Sequence, residues 1–394
     1  MASIRLPSKI AAIGISKTGD LDVIENLVLP FPSPTPSQFI IKVEYAGVNF
    51  VDIQQRKGSF PLPHLPAALG VEAAGTIVAL PTDETVLNSD AFRKHGFKVG
   101  GKVACIGLGA ATFAEYTLAD WLAVTPLPPT VSTRVGAASL AQGLTALTFA
   151  SEAYDVRAGD RVLVQTVAGG LGLWFAQLCK QRGAVVIGTT STAEKAAVAR
   201  AHGADHVILY RDEDVAARVL EITNGEGVHA IFDGVGKDTY ASILVGATRA
   251  DPGASYCFEQ VRDELEGDPG QGHDCRDGLR VRKDRGVQPG RLVRKERQVR
   301  APQVSDTRFC PKSPREWHSF YTPACIRQSA TLYVQQPENG RDYGQELVGF
   351  LESGAVKPVI SKEYPFTAEG VAQSQTDMAE GRSVGKLLIK VTSD

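Results

Sequence analysis

The sequence predicts an α/β protein in two parts, an all-β module of barrel type and a doubly wound parallel sheet with helices on both faces. Three observations carry this reading. Short strand-like runs punctuated by Gly and Pro fill the first third. From Arg161 strands and helices alternate. A glycine cluster then stands between the first of those strands and its helix.

The β module begins clearly at residues 39–48 (FIIKVEYAGV), where Ile41, Val43 and Tyr45 alternate with Ile40, Lys42 and Glu44. Gly58, Pro61, Pro63, Pro66, Gly70 and Gly75 follow at short intervals, a density that suits tight barrel corners better than helices. Residues 98–105 and 114–118 continue the strand pattern, and the Ala- and Leu-rich residues 133–154 read as one helix. Strands are then expected at 162–165, 184–188, 206–209 and 228–232, with helices at 171–182, 194–202 and 212–223 between and after them. Repeats of this length imply a parallel sheet with right-handed crossovers. After a break, residues 345–351 and 367–378 read as helices, and 357–361 and 385–391 as strands.

Composition excludes several function classes. The chain has 394 residues, enough for two domains, with 43% hydrophobic and 22% charged residues and a net charge of -2. That balance draws it neither to nucleic acid nor to anionic lipid. No stretch is long and apolar enough to span a bilayer, and residues 1–9 hold no apolar leader. Six cysteines in such a chain do not make a disulfide framework. The expected location is the cytoplasm. The basic stretch 280–300 has few aromatics to stack on bases and many acids around it, so nucleic acid is not expected as a partner.

The sharpest motif is Ala168-Gly169-Gly170-Leu171-Gly172, between a buried strand and a helix. Glycines there let the strand turn abruptly and let backbone approach a pyrophosphate, which the helix N-terminus favours through free N–H groups and its dipole. Gly169, Gly170, Leu171 and Gly172 are therefore candidate dinucleotide contacts in a Rossmann-type sheet. An NAD site usually carries Asp or Glu about twenty residues further on. Here the run is Gly188-Thr189-Thr190-Ser191-Thr192, without a carboxylate. Ser191 and Thr192 offer hydroxyls, Lys195 a cation, and Tyr210 a ring beside the adenine ribose, a set that fits the 2′-phosphate of NADPH.

These residues, with the run Ala46 to Asp52 (AGVNFVD), the runs LGVEAAG from Leu69, QGLTA from Gln142 and FDGVG from Phe232, resemble the quinone oxidoreductases related to ζ-crystallin, zinc-free members of the medium-chain dehydrogenase/reductase superfamily. The resemblance covers roughly residues 10–249 and 325–394. It implies a GroES-like catalytic domain (1–132 and 331–394) interrupted by a Rossmann NADPH-binding domain (133–330), and an enzyme that reduces small-molecule quinones with NADPH. It also implies a homodimer. Asn49, Phe50 and Asp52 would lie near the nicotinamide; Thr145, Gly170, Leu171, Ser191, Lys195, Tyr210 and Val235 would line the cofactor, and Arg382 would reach its adenylate end. Relatives often carry Tyr where this chain has Gln54 and Phe60.

Zinc-dependent relatives hold their metal through Cys, His and Cys at positions that correspond to Asn49, Val71 and about Ala141 here. Val and Ala offer no lone pair and an amide is a poor ligand, so no metal is expected. Quinones already accept electrons strongly, so hydride transfer needs orientation and a dry cleft rather than a Lewis acid. Asn49 is the candidate hydrogen-bond donor to the developing phenolate, and Asp52 either anchors the loop or acts in the chemistry. An enoyl-thioester or other activated-alkene reductase is the alternative on the same fold, and an inactive gene product is the other.

The regular pattern stops near Ala250. Residues 251–323 are rich in Arg, Gly and Pro and include the run Arg280-Val281-Arg282-Lys283-Asp284-Arg285, which a buried parallel strand would not tolerate. The stretch is longer than a compact domain leaves without structure. A retained intron or shifted frame is the reading expected here, with the parallel sheet ending after 228–232 and the floor of the nicotinamide pocket lost. A genuine disordered insertion is the other explanation.

Overall fold

The computed structural model describes residues 6–107, 109–235, 255–257 and 342–392. Strands β1 (Lys9–Ile15) and β2 (Ile24–Pro30) pair antiparallel at one edge of the catalytic module. β3 (Gln38–Gly47) is its central strand. Ile41 and Val43 are buried and Lys42 is exposed as alternation requires, but Ile40 is buried too. The register shifts between Ile40 and Ile41 and again between Val43 and Tyr45, where Tyr45 is only half-buried. At Gly47 the chain turns into α1 (Phe50–Lys57), which is closed by Gly58 at φ +84°. β4 (Ala67–Ala68), β5 (Glu72–Ala79), the short helices α2 (Glu84–Asn88) and α3 (Asp90–His95), β6 (Lys102–Ile106), β7 (Tyr116–Asp120) and β8 (Val124–Pro126) follow.

The expected single helix over 133–154 is two helices, α4 (Thr133–Ala137) and α5 (Leu140–Thr148), with a π-helical turn after the second. The break at Ala138–Ser139 has a cause outside the segment. The Glu72 carboxylate accepts the Ala141 backbone N–H at 2.7 Å and so seats a fresh helix N-terminus there.

The alternating region forms as expected. β9 (Arg161–Val164), α6 (Gly170–Gln181), β10 (Val185–Thr190), α7 (Ala193–Ala201), β11 (His206–Leu209), α8 (Val215–Ile222) and β12 (Ala230–Asp233) each lie within a few residues of their predicted spans. The sheet order is β11-β10-β9-β12, all parallel, so the strand order reverses between β9 and β12. Ligands of such sheets bind outside the carboxyl ends of the strands at that reversal. Phe175 of α6 stacks on Phe232 of β12 with ring centroids 4.3 Å apart, which seats the helix on the sheet.

One expectation is corrected. The sheet does not end at β12, because β13 (Ser255–Cys257) pairs parallel with it, Ile231 opposite Ser255 and Asp233 opposite Cys257. Three residues are too few to show a buried-strand pattern, and pairing with a strong neighbour decides their conformation. The remainder of 251–323 lies outside the described residues.

The chain returns to the catalytic module with α9 (Tyr343–Ser353), β14 (Ile360–Pro365), α10 (Ala368–Ala379) and β15 (Lys386–Lys390). β15 inserts between β14 and β3, so the large sheet runs β14-β15-β3-β5-β6-β8 with β7 also paired to β3. Gly385, just before β15, forms a parallel bridge with Gly169 and donates its N–H to the Ala168 carbonyl at 3.1 Å. The return strand therefore ties the two parts together at the glycine cluster.

Gly172 has no room for a side chain. A Cβ there would sit 2.4 Å from the Thr166 carbonyl oxygen and 2.7 Å from Val167 Cα, both backbone atoms that cannot rotate away. Gly172→Ala is expected to destabilise the protein by about 1–3 kcal/mol, outweighing the roughly 1 kcal/mol that Ala otherwise gains in a helix. Equilibrium urea unfolding reads this directly, and an unchanged midpoint would show that the turn relaxes around the extra methyl.

Candidate functional site

The site is built where the carboxyl ends of β9 and β10 meet the end of the catalytic sheet. After β9 the backbone turns through Thr166, which takes the left-handed conformation at φ +50°. Its N–H donates to the Thr189 hydroxyl at 3.2 Å, and its carbonyl accepts the Gly169 N–H at 2.8 Å. No side chain caps α6 at Gly169. The first turn of this twelve-residue helix thus offers backbone N–H groups to an anion. A Cβ at Gly170 would come within 3.4 Å of the Gly385 carbonyl and 3.6 Å of Gln142 Cγ. The turn is a cradle kept open by missing side chains, which fits a pyrophosphate.

The far end of the cradle is polar and cationic. Thr190 ends β10, Ser191 and Thr192 are half-buried behind it, and the Thr192 hydroxyl accepts the Lys195 N–H at 3.4 Å at the start of α7. Lys195 Nζ donates to the Gly381 carbonyl at 2.5 Å. Burial and then the neighbouring Arg211 guanidinium hold the Lys195 ammonium below its usual pKa. Two cations that repel one another mark a place where an anion would relieve both. Tyr210 is exposed and donates its backbone N–H to the Thr190 carbonyl at 3.1 Å, which sets it at this end of the sheet. Glu194, the one acid in residues 188–195, is exposed, and its carboxyl is held below the usual range by its own backbone N–H and the Thr192 hydroxyl. Arg382 is engaged elsewhere: its guanidinium contacts Asp377 at 3.4 Å and pairs with Glu380. The return segment reaches Lys195 through the Gly381 carbonyl rather than through the Arg382 side chain.

Facing the cradle, the ends of β15, β3 and β5 bring Lys386, Gly47 and Glu72 side by side. Lys386 is 3% exposed and Glu72 0%, and Nζ donates to Glu72 Oε2 at 2.6 Å. The pair fits only because Gly47 has no side chain: a Cβ there would meet Glu72 Oε2 at 2.5 Å and Lys386 Cε at 2.8 Å. Lys386 also donates to Asn49 Oδ1 at 2.9 Å and Gln142 Oε1 at 2.7 Å. Asn49 Nδ2 donates to the Gly47 carbonyl and to Glu72 Oε2, each at 3.1 Å, and Asn49 Oδ1 accepts from Gln142 Nε2 at 2.7 Å. Both amide hydrogens of Asn49 are therefore given to the protein, and the residue expected to serve as a free donor is instead a fixed member of the cluster. Removing one member of a buried ion pair of this kind costs about 3–5 kcal/mol.

Asp52 is fully buried in the first turn of α1. Its Oδ2 accepts the Asn49 backbone N–H at 2.7 Å, and its own N–H donates to the Asn49 carbonyl at 3.1 Å. Among the described residues the buried Oδ1 has no hydrogen-bond partner. Burial pushes the Asp52 carboxyl up to about 7, against the opposing pull of the Asn49 N–H and of Lys386.

The expected residues thus fall into two groups on one cleft. Gly169, Gly170, Leu171, Gly172, Ser191, Thr192, Lys195 and Tyr210 lie at and after the carboxyl ends of β9, β10 and β11. Asn49, Phe50 and Asp52 lie on the catalytic side. Thr145, on α5, is half-buried and donates its hydroxyl to the Ala141 carbonyl at 2.7 Å. Val235 stands just past β12, its N–H bonded to Asp233 Oδ1 at 2.8 Å. Sequence reasoning missed Glu72, Gln142, Arg211 and Lys386. A lone acid among the Ala and Val of residues 71–75 was the available signal for Glu72, because a buried carboxylate demands a partner.

At the positions of zinc ligands in related dehydrogenases, Val71 and Ala141 are buried and apolar, and Asn49 is committed as described. Burial pushes the nearby Cys105 thiol up to about 12, away from the thiolate that a metal requires. Among the described residues no group of three His, Cys, Asp or Glu side chains is arranged to hold a metal.

Comparison with known proteins agrees with this geometry. Residues 35–129 match the alcohol dehydrogenase GroES-like domain, and residues 170–251 match the zinc-binding dehydrogenase family, the second match ending where the β–α pattern of the sequence stops. A quinone oxidoreductase of Pseudomonas aeruginosa is 34% identical over 94% of this chain and 96% of that protein. A probable quinone oxidoreductase of Schizosaccharomyces pombe is 38% identical over 59% of this chain and 67% of its own length. A mycobacterial protein solved in complex with NADPH superimposes with a TM-score of 0.72 at 26% identity, covering 96% of this chain and 99% of the other. Similarity at this level over nearly the whole length of both sequences, on a GroES-like module joined to a parallel nucleotide sheet, makes the chain a member of the quinone oxidoreductase family.

Proposed function

We propose that the chain reduces quinones with NADPH, without a metal. The observation that carries the reading is the nucleotide end: a glycine cradle at an uncapped helix, hydroxyls in place of the NAD-type acid, and the cations Lys195 and Arg211 together. The cradle would hold the pyrophosphate and the two cations the 2′-phosphate. When bound, NADPH supplies a hydride from its nicotinamide. The Lys386–Glu72–Asn49–Gln142 cluster forms a rigid, mutually saturated floor that orients rather than polarises. Two-electron reduction of a quinone needs a proton beside the hydride. Water can supply it; Asp52 is fully buried and holds the Asn49 turn at the start of α1. The cytoplasmic location and the homodimer rest on composition and family resemblance; among the described residues no helix is long and apolar enough to cross a membrane.

The reading is tested by NADPH oxidation with 9,10-phenanthrenequinone against crotonyl-CoA, each with and without a zinc chelator. Turnover of the quinone that the chelator leaves unchanged is expected. Faster turnover of crotonyl-CoA would move the enzyme to the alkene reductases, and loss of activity with stoichiometric zinc in the protein would reopen the metal question.

Lys195→Ala removes one charge-assisted contact to the 2′-phosphate, worth about 1.5–3 kcal/mol, and so weakens NADPH roughly ten- to a hundred-fold while sparing NADH. Fluorescence titration with both nucleotides reads this. Equal weakening of the two would place Lys195 away from the phosphate.

Asp52 titrates higher in the folded than in the unfolded chain, where its carboxyl ionises near 3.8. The folded state is thus favoured fully below that value and loses this contribution as pH rises towards about 7. Asp52→Asn does not titrate, so its urea midpoint relative to the parent chain is expected to rise between about pH 5 and about pH 8. A constant difference across that range would show Asp52 ionised throughout.

A further inference from the structure

Lys386 neutralises Glu72 within the orienting floor, yet its bonding goes further. Its ammonium has three hydrogens, and three acceptors lie at 2.6, 2.7 and 2.9 Å. Only one is the carboxylate. The other two are the amide oxygens of Asn49 and Gln142, and holding them fixes which way both amides face. Asn49 caps the helix that carries Asp52. Gln142 Cγ lies 3.6 Å from the place where a Gly170 Cβ would stand, at the first residue of α6. The residue before Lys386 completes the connection, because Gly385 bonds the Ala168 carbonyl and bridges Gly169. Two consecutive residues thus grip both sides of the cleft, one by backbone at the glycine turn and one by side chain at the catalytic cluster.

We propose that Lys386 is a positioning residue for hydride transfer: through Asn49 and Gln142 it holds the catalytic face in register with the glycine turn, and so sets where the nicotinamide end of the cofactor lies. The assignment rests on the NADPH-dependent reading above. A purely structural lysine, present to pair Glu72, is the competing account. The two accounts separate when both charges are removed together.

The experiment compares Lys386→Met, Lys386→Met with Glu72→Gln, and Gln142→Met. Lys386→Met alone leaves a buried carboxylate and is expected to lower the urea midpoint. The double variant restores the midpoint but keeps kcat for 9,10-phenanthrenequinone about 10- to 100-fold down, the range in which misplaced reacting atoms cost rate. Gln142→Met keeps the ion pair, and so the fold, and shows a loss of kcat in the same direction. In both, the Kd for NADPH stays within about three-fold of the parent, since the phosphate contacts are untouched. The emission maximum of bound NADPH, recorded without quinone, shifts because the nicotinamide surroundings change. Parent-like kcat and parent-like emission in the double variant or in Gln142→Met would overturn the proposal, as would a rise in Kd that matches the loss of kcat. If the parent chain binds NADPH but reduces no quinone, the functional reading fails, while the emission shift still decides the role of Lys386.

Discussion

A single buried ion pair organises this protein. Lys386 and Glu72 meet across Gly47, and the contact joins strands from three distant parts of the chain. Taking both charges out of water is costly, and their attraction offsets that cost only when every remaining hydrogen and lone pair is satisfied. Here the remainder is taken up by Asn49, Gln142 and the Ala141 N–H. The arrangement is consequently cooperative: the carboxylate that pairs the lysine also starts α5, and the lysine that pairs the carboxylate also fixes the residue that starts α1. Changing one partner disturbs two helix ends and the junction of three strands together.

The two ends of the cleft follow opposite electrostatic rules. On the catalytic side the charges are dry, paired and fully bonded, so their geometry is stiff and salt has little access to them. On the nucleotide side Lys195 and Arg211 are near water and near each other, and among the described residues the Lys195 ammonium bonds only a carbonyl oxygen. That end is a receptor for charge that arrives from outside. The division suits hydride transfer, in which the phosphates supply binding energy far from the reacting carbon and the rigid floor turns it into orientation.

Local physics made much of this legible in the sequence. The glycine turn could be read because the need for missing side chains at Gly169 and Gly172 is set by the Thr166–Val167 backbone a few residues before them. The strand at His206–Leu209 could be read because its apolar run is bounded by Gly203 on one side and Asp212 on the other. What could not be read was set at a distance. The break between α4 and α5 depends on Glu72, which lies 69 residues before the amide it accepts. The Lys386–Glu72 pair spans 314 residues. β13 is a strand because β12 is beside it, since Ser-Tyr-Cys alone has no periodicity to show. Asn49 looked available for substrate because a sequence lists donors and cannot say which are already given.

The place of β15 in the large sheet also governs how the molecule can be made. β3 is paired along one side by β5 and along the first part of the other by β7, both from its own region. The rest of that second side, Tyr45 to Gly47, pairs with β15, which leaves the ribosome only after the whole nucleotide sheet has been synthesised. During that interval the catalytic module carries an open strand edge, with Glu72 at its end still lacking its cation. An open edge of this kind invites pairing with other chains. Folding of the first module is therefore held incomplete until the second has been built, and the delay is as long as everything the chain places between β8 and β15.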